Sequence, residues 1–523
     1  MEEDQTSIRL LADAGKADKQ TDDKDLKGKL TGMLALSVFV SVIGCSFQFG
    51  FQNGVLNTPQ KLLQDEYRYG FQSSEQTNDT QPVLSEDQTV LLWSVTVSIW
   101  AAGGMLAGFT GGFFATKFGR KKTMLVNNVF LLVGAGLMVA AKYAQTPGLM
   151  IAGRIVLGIS NGYSTVVAPL YLNEISPINL RGAIGTLHQL GVTSGILIAQ
   201  VLGLKQVLGN LEMYPLLFGM PAVASLIQLL LLPFCPESPS WLYITKSKPQ
   251  KSKEALISLR GDTNVDEQLS AYNLEVTEIK QQAKLSFASM FKLSHLRTPL
   301  LIAIVLQLSQ QFSGIIAVLN YSTSIFISVG LEENESQYAT LGTSGILVTM
   351  TIISVGFMDR IGRRPLHLGG LSGCLLSMIL ITIALFMQEK YDWAKYLSIV
   401  ALVLFIVMFA IGPGSIPWFI TAELFDQTAR PYAISLATLV NWLANLISGL
   451  VFPYMQRGLG LYVFVPFIIL LALFAIFTYF KVPETKNKST EEIVAIFQSA
   501  DQSKHSIHQK DETANSAYQM KDL

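Results

Sequence analysis

Apolar residues in this chain fall in long blocks, not in the short alternations of a soluble domain. Blocks lie near 30–56, 88–114, 122–142, 148–171, 182–206 and 213–234. A polar stretch follows from about Ser238 to Arg297. A second set lies near 298–329, 339–358, 365–387, 394–420, 430–453 and 459–482. A helix rising 1.5 Å per residue needs about 20 apolar residues to cross a hydrocarbon core of roughly 30 Å. The blocks meet that length, and helices satisfy their own backbone polar groups where water is absent. The pattern predicts an all-α integral membrane protein with twelve transmembrane helices in two halves of six. The divisions are a tail (1–29), a first bundle (30–237), a linker (238–297), a second bundle (298–482) and a tail (483–523). An even number of spans puts both tails on one side.

Composition sharpens this. The chain has 523 residues, half of them hydrophobic and 15% charged; mean hydropathy is +0.39. A formal net charge of zero gives no case for nucleic acid. Cys45, Cys235 and Cys374 sit in or beside apolar blocks and read as small hydrophobes, with no disulfide framework and no metal-ligand spacing. The charged first 29 residues do not resemble a cleavable signal peptide. Lys117, Arg120, Lys121 and Lys122, then Arg360, Arg363 and Arg364, and the Lys-rich linker all fall on the side of the tails. That side is therefore expected to be cytoplasmic. The loop from about Pro59 to Asp87 is then extracellular, and Asn78-Asp79-Thr80 within it is the candidate glycosylation site. Asn334-Glu335-Ser336 is a second match in a short loop.

The halves repeat one another. Gly119-Arg120-Lys121 returns as Gly362-Arg363-Arg364 after 243 residues. Glu174 and Arg181 are seven apart, as are Glu423 and Arg430, at an offset of 249. Pro236-Glu237-Ser238 returns as Pro483-Glu484-Thr485 at 247. Unrelated basic loops explain the Arg and Lys residues but not the Glu–Arg spacing. Arg120, Glu174, Arg181, Arg363, Glu423 and Arg430 are candidate gating residues, forming ion pairs between helix ends while that face is closed. Each exposed pair contributes only about 0–1 kcal/mol, enough as a network to bias two conformers of similar free energy.

The seventh block carries the most chemistry. On a straight helix Gln307, Gln310, Gln311, Gly314 and Tyr321 fall within one arc of about 100°. Amides at membrane depth need polar partners. Two readings stand: an uncharged cavity that hydrogen-bonds a polyhydroxylated solute, or amides that bond across the bundle.

These motifs resemble the major facilitator superfamily, specifically its sugar porters and, within them, the animal facilitative glucose transporters. The resemblance runs from about Leu30 to Gln498. It is carried by Gly119-Arg120-Lys121-Lys122, Leu180-Arg181-Gly182, Pro236-Glu237-Ser238-Pro239 and Thr186-Leu187-His188-Gln189-Leu190. Gln307-Leu308-Ser309-Gln310-Gln311, Asp359-Arg360-Ile361-Gly362-Arg363-Arg364, Gly412-Pro413-Gly414-Ser415-Ile416-Pro417-Trp418 and Val482-Pro483-Glu484-Thr485-Lys486 add to it. The resemblance implies the major facilitator fold, two pseudo-symmetric lobes with a cytoplasmic helical linker. It also implies sugar contacts from Gln189, Ile196, Gln310, Gln311, Trp418, Asn441, Trp442 and Asn445. Each also has a plain packing reading. Trp418 follows two prolines and two glycines that should break its helix, and its indole is suited to stack on a sugar.

The chain departs from the family at several points. The family's Asn-Ala-Val-Phe-Tyr-Tyr after Ser313-Gly314-Ile315 is here Ile316-Ala317-Val318-Leu319-Asn320-Tyr321. Leu347 stands for a usual Asn, Ala410 for a Glu and Ser240 for an Arg. Losing one amide-to-hydroxyl bond costs about 0.5–1.5 kcal/mol.

No Asp or Glu lies in the middle of a block, and Gln52 stands where proton-coupled relatives place an Asp. With no nucleotide-binding loop either, the expected activity is uncoupled, downhill transport by alternating access. A hexose is the expected substrate, D-glucose favoured, with membrane lipid the other partner and no cofactor. A carrier for fructose, urate or another polar solute, and a non-transporting sugar sensor, are the alternatives. The five scattered His residues give no catalytic or metal cluster, so an enzyme is not expected. The expected location is the plasma membrane, with both termini cytoplasmic. No motif bears on oligomeric state.

Overall fold

The computed structural model describes residues 28–70, 82–281, 287, 289–328, 330–388, 390–425, 429–486, 488 and 492–497. Among them all regular structure is helical. Among the described residues, ten segments are long and apolar enough to cross a membrane. They are Gly32–Gly54 (span 1), Glu86–Phe118 (span 2), Arg120–Tyr143 (span 3), Pro147–Ile175 (span 4), Arg181–Leu202 (span 5), Tyr214–Phe234 (span 6), Ser294–Ser328 (span 7), Arg363–Met387 (span 9), Ala394–Glu423 (span 10) and Arg430–Tyr462 (span 11). Glu333–Ile361 (span 8) and the shorter Val465–Lys481 (span 12) complete the twelve.

Helix starts follow local chemistry. Thr31 caps span 1, its hydroxyl accepting from the Leu34 N–H at 3.2 Å. Ser85 and Gln88 form a reciprocal capping box at the head of span 2. The spans overrun their apolar blocks. Spans 3 and 9 begin on Arg120 and Arg363, because the charged groups there find partners. The α-helix of span 11 continues through Pro453 as far as Leu459, and Gly460 at φ +51° ends it before span 12.

The repeated motifs build one device twice. Gly119 (φ +99°) and Gly362 (φ +108°) end spans 2 and 8 in a conformation that favours glycine. The next helix starts at once, and its orphan N–H groups point at a carboxylate. Glu237 accepts from the Arg120 and Lys121 N–H groups at 3.0 and 3.1 Å. Glu484 accepts from those of Arg363 and Arg364 at 3.1 and 3.2 Å.

Within the first half, span 4 lies against spans 2 and 3, and span 1 against span 5. Small residues allow this: a Cβ on Gly158 would stand 1.9 Å from the Trp100 carbonyl oxygen, and one on Gly50 would stand 1.8 Å from that of Val192. Between the halves, span 2 meets span 11 and span 5 meets span 8. The linker helix Pro249–Arg260 docks on span 1, and both it and Asp266–Gln281 pack on the linker segment Trp241–Thr245. Arg260 donates to the Ile175 carbonyl at 2.8 Å, and the Thr31 hydroxyl donates to that of Leu259 at 2.7 Å. Burial holds the Arg260 pKa below its ordinary value.

Asn78 lies outside the described residues. Asn334 is exposed in the first turn of span 8, but the Ser336 hydroxyl of its sequence pattern is buried.

Gly119→Ala and Gly362→Ala should each destabilise the protein, because a Cβ would fall 2.5 Å from Glu237 Oε2 or 2.8 Å from Glu484 Oε2. A cost of about 1–3 kcal/mol is expected for the strained backbone alone. Thermal unfolding of the purified protein measures it, with Gly182→Ala, which meets open space, as the unaffected control.

Candidate functional site

Span 7 is broken where its polar residues cluster. Gln311–Ile315 forms a π-helical segment, and Gly314 sits at φ +100°. The break divides the arc expected from a straight helix. Gln307, Gln310 and Gln311 stay together on the inner side. Tyr321 does not join them: its hydroxyl donates to the Gly449 carbonyl at 3.2 Å and its ring packs on Phe452.

The three glutamines form one network with span 11. Asn441 Nδ2 donates to Gln307 Oε1 and Gln310 Oε1, both at 2.7 Å. Gln311 Nε2 donates to Asn441 Oδ1 at 2.9 Å and to Gln310 Oε1 at 3.2 Å. Asn445 Nδ2 donates to Gln311 Oε1 at 3.3 Å. Asn441 and Asn445 lie at i and i+4, so one face of span 11 supplies both. Gln307 Nε2 is buried and has no partner. The cluster is uncharged and its amides orient one another before any solute arrives.

Other expected site residues are placed as follows. Gln189 is half-buried on span 5. Ile196 is buried against Gly54 of span 1. Trp418 is half-buried just beyond the break in span 10. Trp442 is 4% exposed and packs between the halves: its ring meets Trp100 edge-on at 5.1 Å and Phe49 at 5.9 Å. It fills a groove over Gly104 and Gly108 of span 2. Asn320 bonds the Ile316 carbonyl of its own helix at 3.3 Å. Ile316, Leu347 and Ala410 are buried apolar groups.

The charged candidates pair within each half. Arg120 meets Glu174 at 2.6 Å and Arg363 meets Glu423 at 3.3 Å. Arg430 donates to the Phe425 carbonyl at 3.1 and 3.3 Å, while Arg181 is exposed.

The opposite face is tied across the halves. Asn57 Nδ2 donates to the Leu319 carbonyl and to Ser322 Oγ, each at 2.8 Å. Gln337 Nε2 donates to the Thr58 carbonyl at 3.3 Å, and the Ser344 hydroxyl donates to Gln200. Lys61 pairs with Glu333 at 2.9 Å, and Arg457 pairs with Asp87 at 2.6 Å and Glu86 at 3.5 Å. The bond to Glu333 raises the Lys61 pKa; burial raises that of Asp65 beside it.

Sequence reasoning passed over Arg154, the one basic residue in the fourth block. It is fully buried. Its guanidinium donates to the carbonyls of Gln52 at 3.0 Å and of Thr96 and Val97 at 3.2 Å, and lies 5.2 Å from the Trp100 ring centroid. It ties spans 1, 2 and 4 together. A lone Arg inside an apolar block was the available signal.

A sequence model described as "Sugar (and other) transporter" matches residues 37–497. The chain is 45% identical over 469 residues to solute carrier family 2, facilitated glucose transporter member 1 of Gallus gallus, covering 90% of this chain and 94% of that one. It is 41% identical over 470 residues to member 3 of Ovis aries, with the same coverage. Among solved structures, the major facilitator superfamily proton:xylose symporter XylE bound to 6-bromo-6-deoxy-D-glucose matches with a TM-score of 0.73 at 22% identity, covering 90% of this chain and all of that one. That likeness shows the twelve-helix fold.

Gly104→Val should cut solute uptake about 5- to 100-fold at unchanged surface level, as overpacking by about 1–3 kcal/mol would, because a Cβ at 104 stands 2.7 Å from the Trp442 ring. Gly112→Ala, which meets no atom within 4 Å, should leave uptake unchanged in the same assay.

Proposed function

Because the chain belongs to the sugar (and other) transporter family, we propose that it is a facilitative hexose carrier, with D-glucose the favoured sugar. One observation carries the reading: a charge-free cluster of five amides stands between spans 7 and 11, on the inner side of the break in span 7. A hexose presents many hydroxyls and no charge, which suits preset amide donors and acceptors. Gln189, Gln307, Gln311, Trp418 and Asn445 are the proposed sugar-facing groups, with Ile196, Trp442 and Asn441 shaping the wall.

Transport is by alternating access, one lobe rocking against the other around a fixed site. The structure supplies one end of that cycle. The face away from the linker is tied across the lobes, while the charged motifs of the linker face pair inside their own lobes. Opening the tied face exchanges those lobe-to-lobe bonds for water. Arg120, Glu174, Arg181, Arg363, Glu423 and Arg430 are then the groups proposed to regroup between lobes when the linker face closes. The middles of the spans hold no carboxylate to carry a proton, so the solute gradient is the driving force. The chain is proposed to sit in the plasma membrane with both tails cytoplasmic and Asn78 glycosylated outside.

A second reading, a carrier for fructose, urate or another polar solute, is favoured by the apolar side chains at Ile316, Leu347 and Ala410. A sugar sensor without transport is the third outcome of the same test.

Labelled hexoses offered to proteoliposomes decide among them. D-glucose should enter, unlabelled sugar inside should accelerate exchange, and an imposed proton gradient should drive no accumulation. Uphill accumulation refutes the uniport. Gln189→Ala and Trp418→Ala should each lower uptake about 2- to 10-fold, the effect of one lost hydrogen bond; normal uptake by both moves the site elsewhere.

A further inference from the structure

Spans 9 and 11 and the turn into span 12 enclose a cavity of about 240 Å³ behind the last turn of span 7, at the face away from the linker. Ile325, Leu385, Phe452, Val463 and Phe464 give it apolar walls, and none of its described lining residues is charged. Its polar side chains are Ser328, Gln388 and Gln456. Two of them are engaged. The Ser328 hydroxyl donates to the Ile325 carbonyl at 2.7 Å, and Gln456 Nε2 donates to Ser324 Oγ at 3.4 Å. Gln388 Oε1 is buried and has no partner.

These groups narrow the occupant. A buried water needs two to four polar partners, and waters filling this space would face mostly apolar walls. An apolar cavity of about 150 Å³ already stays dry and takes a benzene-sized ring. An orphaned acceptor in such a cavity asks for one donor carried on an apolar body. A phosphate or carboxylate headgroup would be buried there without a cation. Phe386 and Tyr462 are chain neighbours of the lining residues Leu385 and Leu461. Both are exposed, with ring centroids 5.1 Å apart. Exposed aromatic rings of this kind mark the headgroup level of a bilayer. A sterol carries its one hydroxyl at that level, on a rigid body of fused rings.

We propose that this cavity is a sterol site. The hydroxyl donates to Gln388 Oε1, the first rings pack on Phe452 and Phe464, and the rest of the body follows the seam between spans 9 and 12 into the lipid. The occupant braces the outer part of span 7. Ile325 and Ser328 belong to Ile316–Ser328, the helix beyond the break at Gly314. Asn57 of the first lobe holds that same helix through the Leu319 carbonyl and Ser322. A sterol seated against it therefore favours the tied face. Only this consequence for transport rests on the hexose-carrier reading.

The test uses the full chain in phosphatidylcholine vesicles that contain a diazirine-bearing cholesterol analogue. Irradiation and peptide mapping should place the label on the cavity wall, and excess cholesterol should compete it away. Gln388→Leu should cut that labelling about 2- to 10-fold, the effect of one lost hydrogen bond. Leu461→Trp, which fills the cavity from its rim, should remove it. Leu473→Trp, exposed on span 12, should leave it unchanged. Label spread over exposed span faces and indifferent to Gln388→Leu means annular lipid and overturns the site. Competition by diacylglycerol but not by cholesterol overturns the sterol in favour of an acyl alcohol. Should Leu461→Trp not fold, Gln388→Leu still decides. In the same vesicles cholesterol should lower the maximal hexose rate of the parent about twofold or more, and that of Gln388→Leu by less, as a ligand that prefers one conformer would. Equal slowing of both overturns the brace. If the parent moves no hexose, the carrier reading fails, and the labelling still decides the site.

Discussion

Hydrocarbon offers no hydrogen bonds, and the inner architecture of this protein follows from that. Every amide, hydroxyl or guanidinium at membrane depth has to be met by the protein or by something polar that enters it. Arg154 is met by three carbonyls and a tryptophan face. Gln48 is met by the Pro221 carbonyl, and Asn128 by Gln228 and Ser225. Gln307, Gln310, Gln311, Asn441 and Asn445 bond one another, with Gln307 Nε2 left over. A network tied in this way keeps its geometry without a solute, which lowers the ordering needed when one binds.

The same demand explains why broken helices and glutamines occur together. A break frees carbonyls, and a side-chain amide is the smallest neutral group that satisfies two at once. Gln310 does so for span 10, from a helix more than a hundred residues away in sequence. Span 7 breaks at Gly314, next to the glutamines.

Apart from Arg154, the paired charges lie at the two faces and are used differently on each. On the linker face, Glu237 and Glu484 cap spans 3 and 9, and Arg120–Glu174 and Arg363–Glu423 pair inside single lobes. On the opposite face, Lys61–Glu333 and Arg457–Asp87 cross between lobes. Exposed pairs of this kind are individually weak. They suit a carrier, whose two states must lie close in free energy for either face to open.

Much of this was legible in the chain itself. Block lengths announce the spans, and the repeated Gly-Arg, Glu–Arg and Pro-Glu motifs announce two like halves. Pro413, Gly414 and Pro417 announce where a helix cannot run on, whereas the break at Gly314 was not foreseen. These are local properties, set by covalent geometry and by the length of apolar sequence. Arg154 too is visible without coordinates, as a lone cation in an apolar block. What the sequence could not decide is which partner each polar group would take. Gln310 and Gln311 are adjacent and chemically identical, yet one is tied to span 10 and the other to span 11. Trp442 fills a glycine groove across the lobe boundary, while Trp418 stands half-buried beside a break. An amide has four hydrogen-bonding directions and no intrinsic preference among carbonyls, amides and hydroxyls. Only the packing of distant helices brings particular ones to within about 3 Å, and that choice belongs to the tertiary structure.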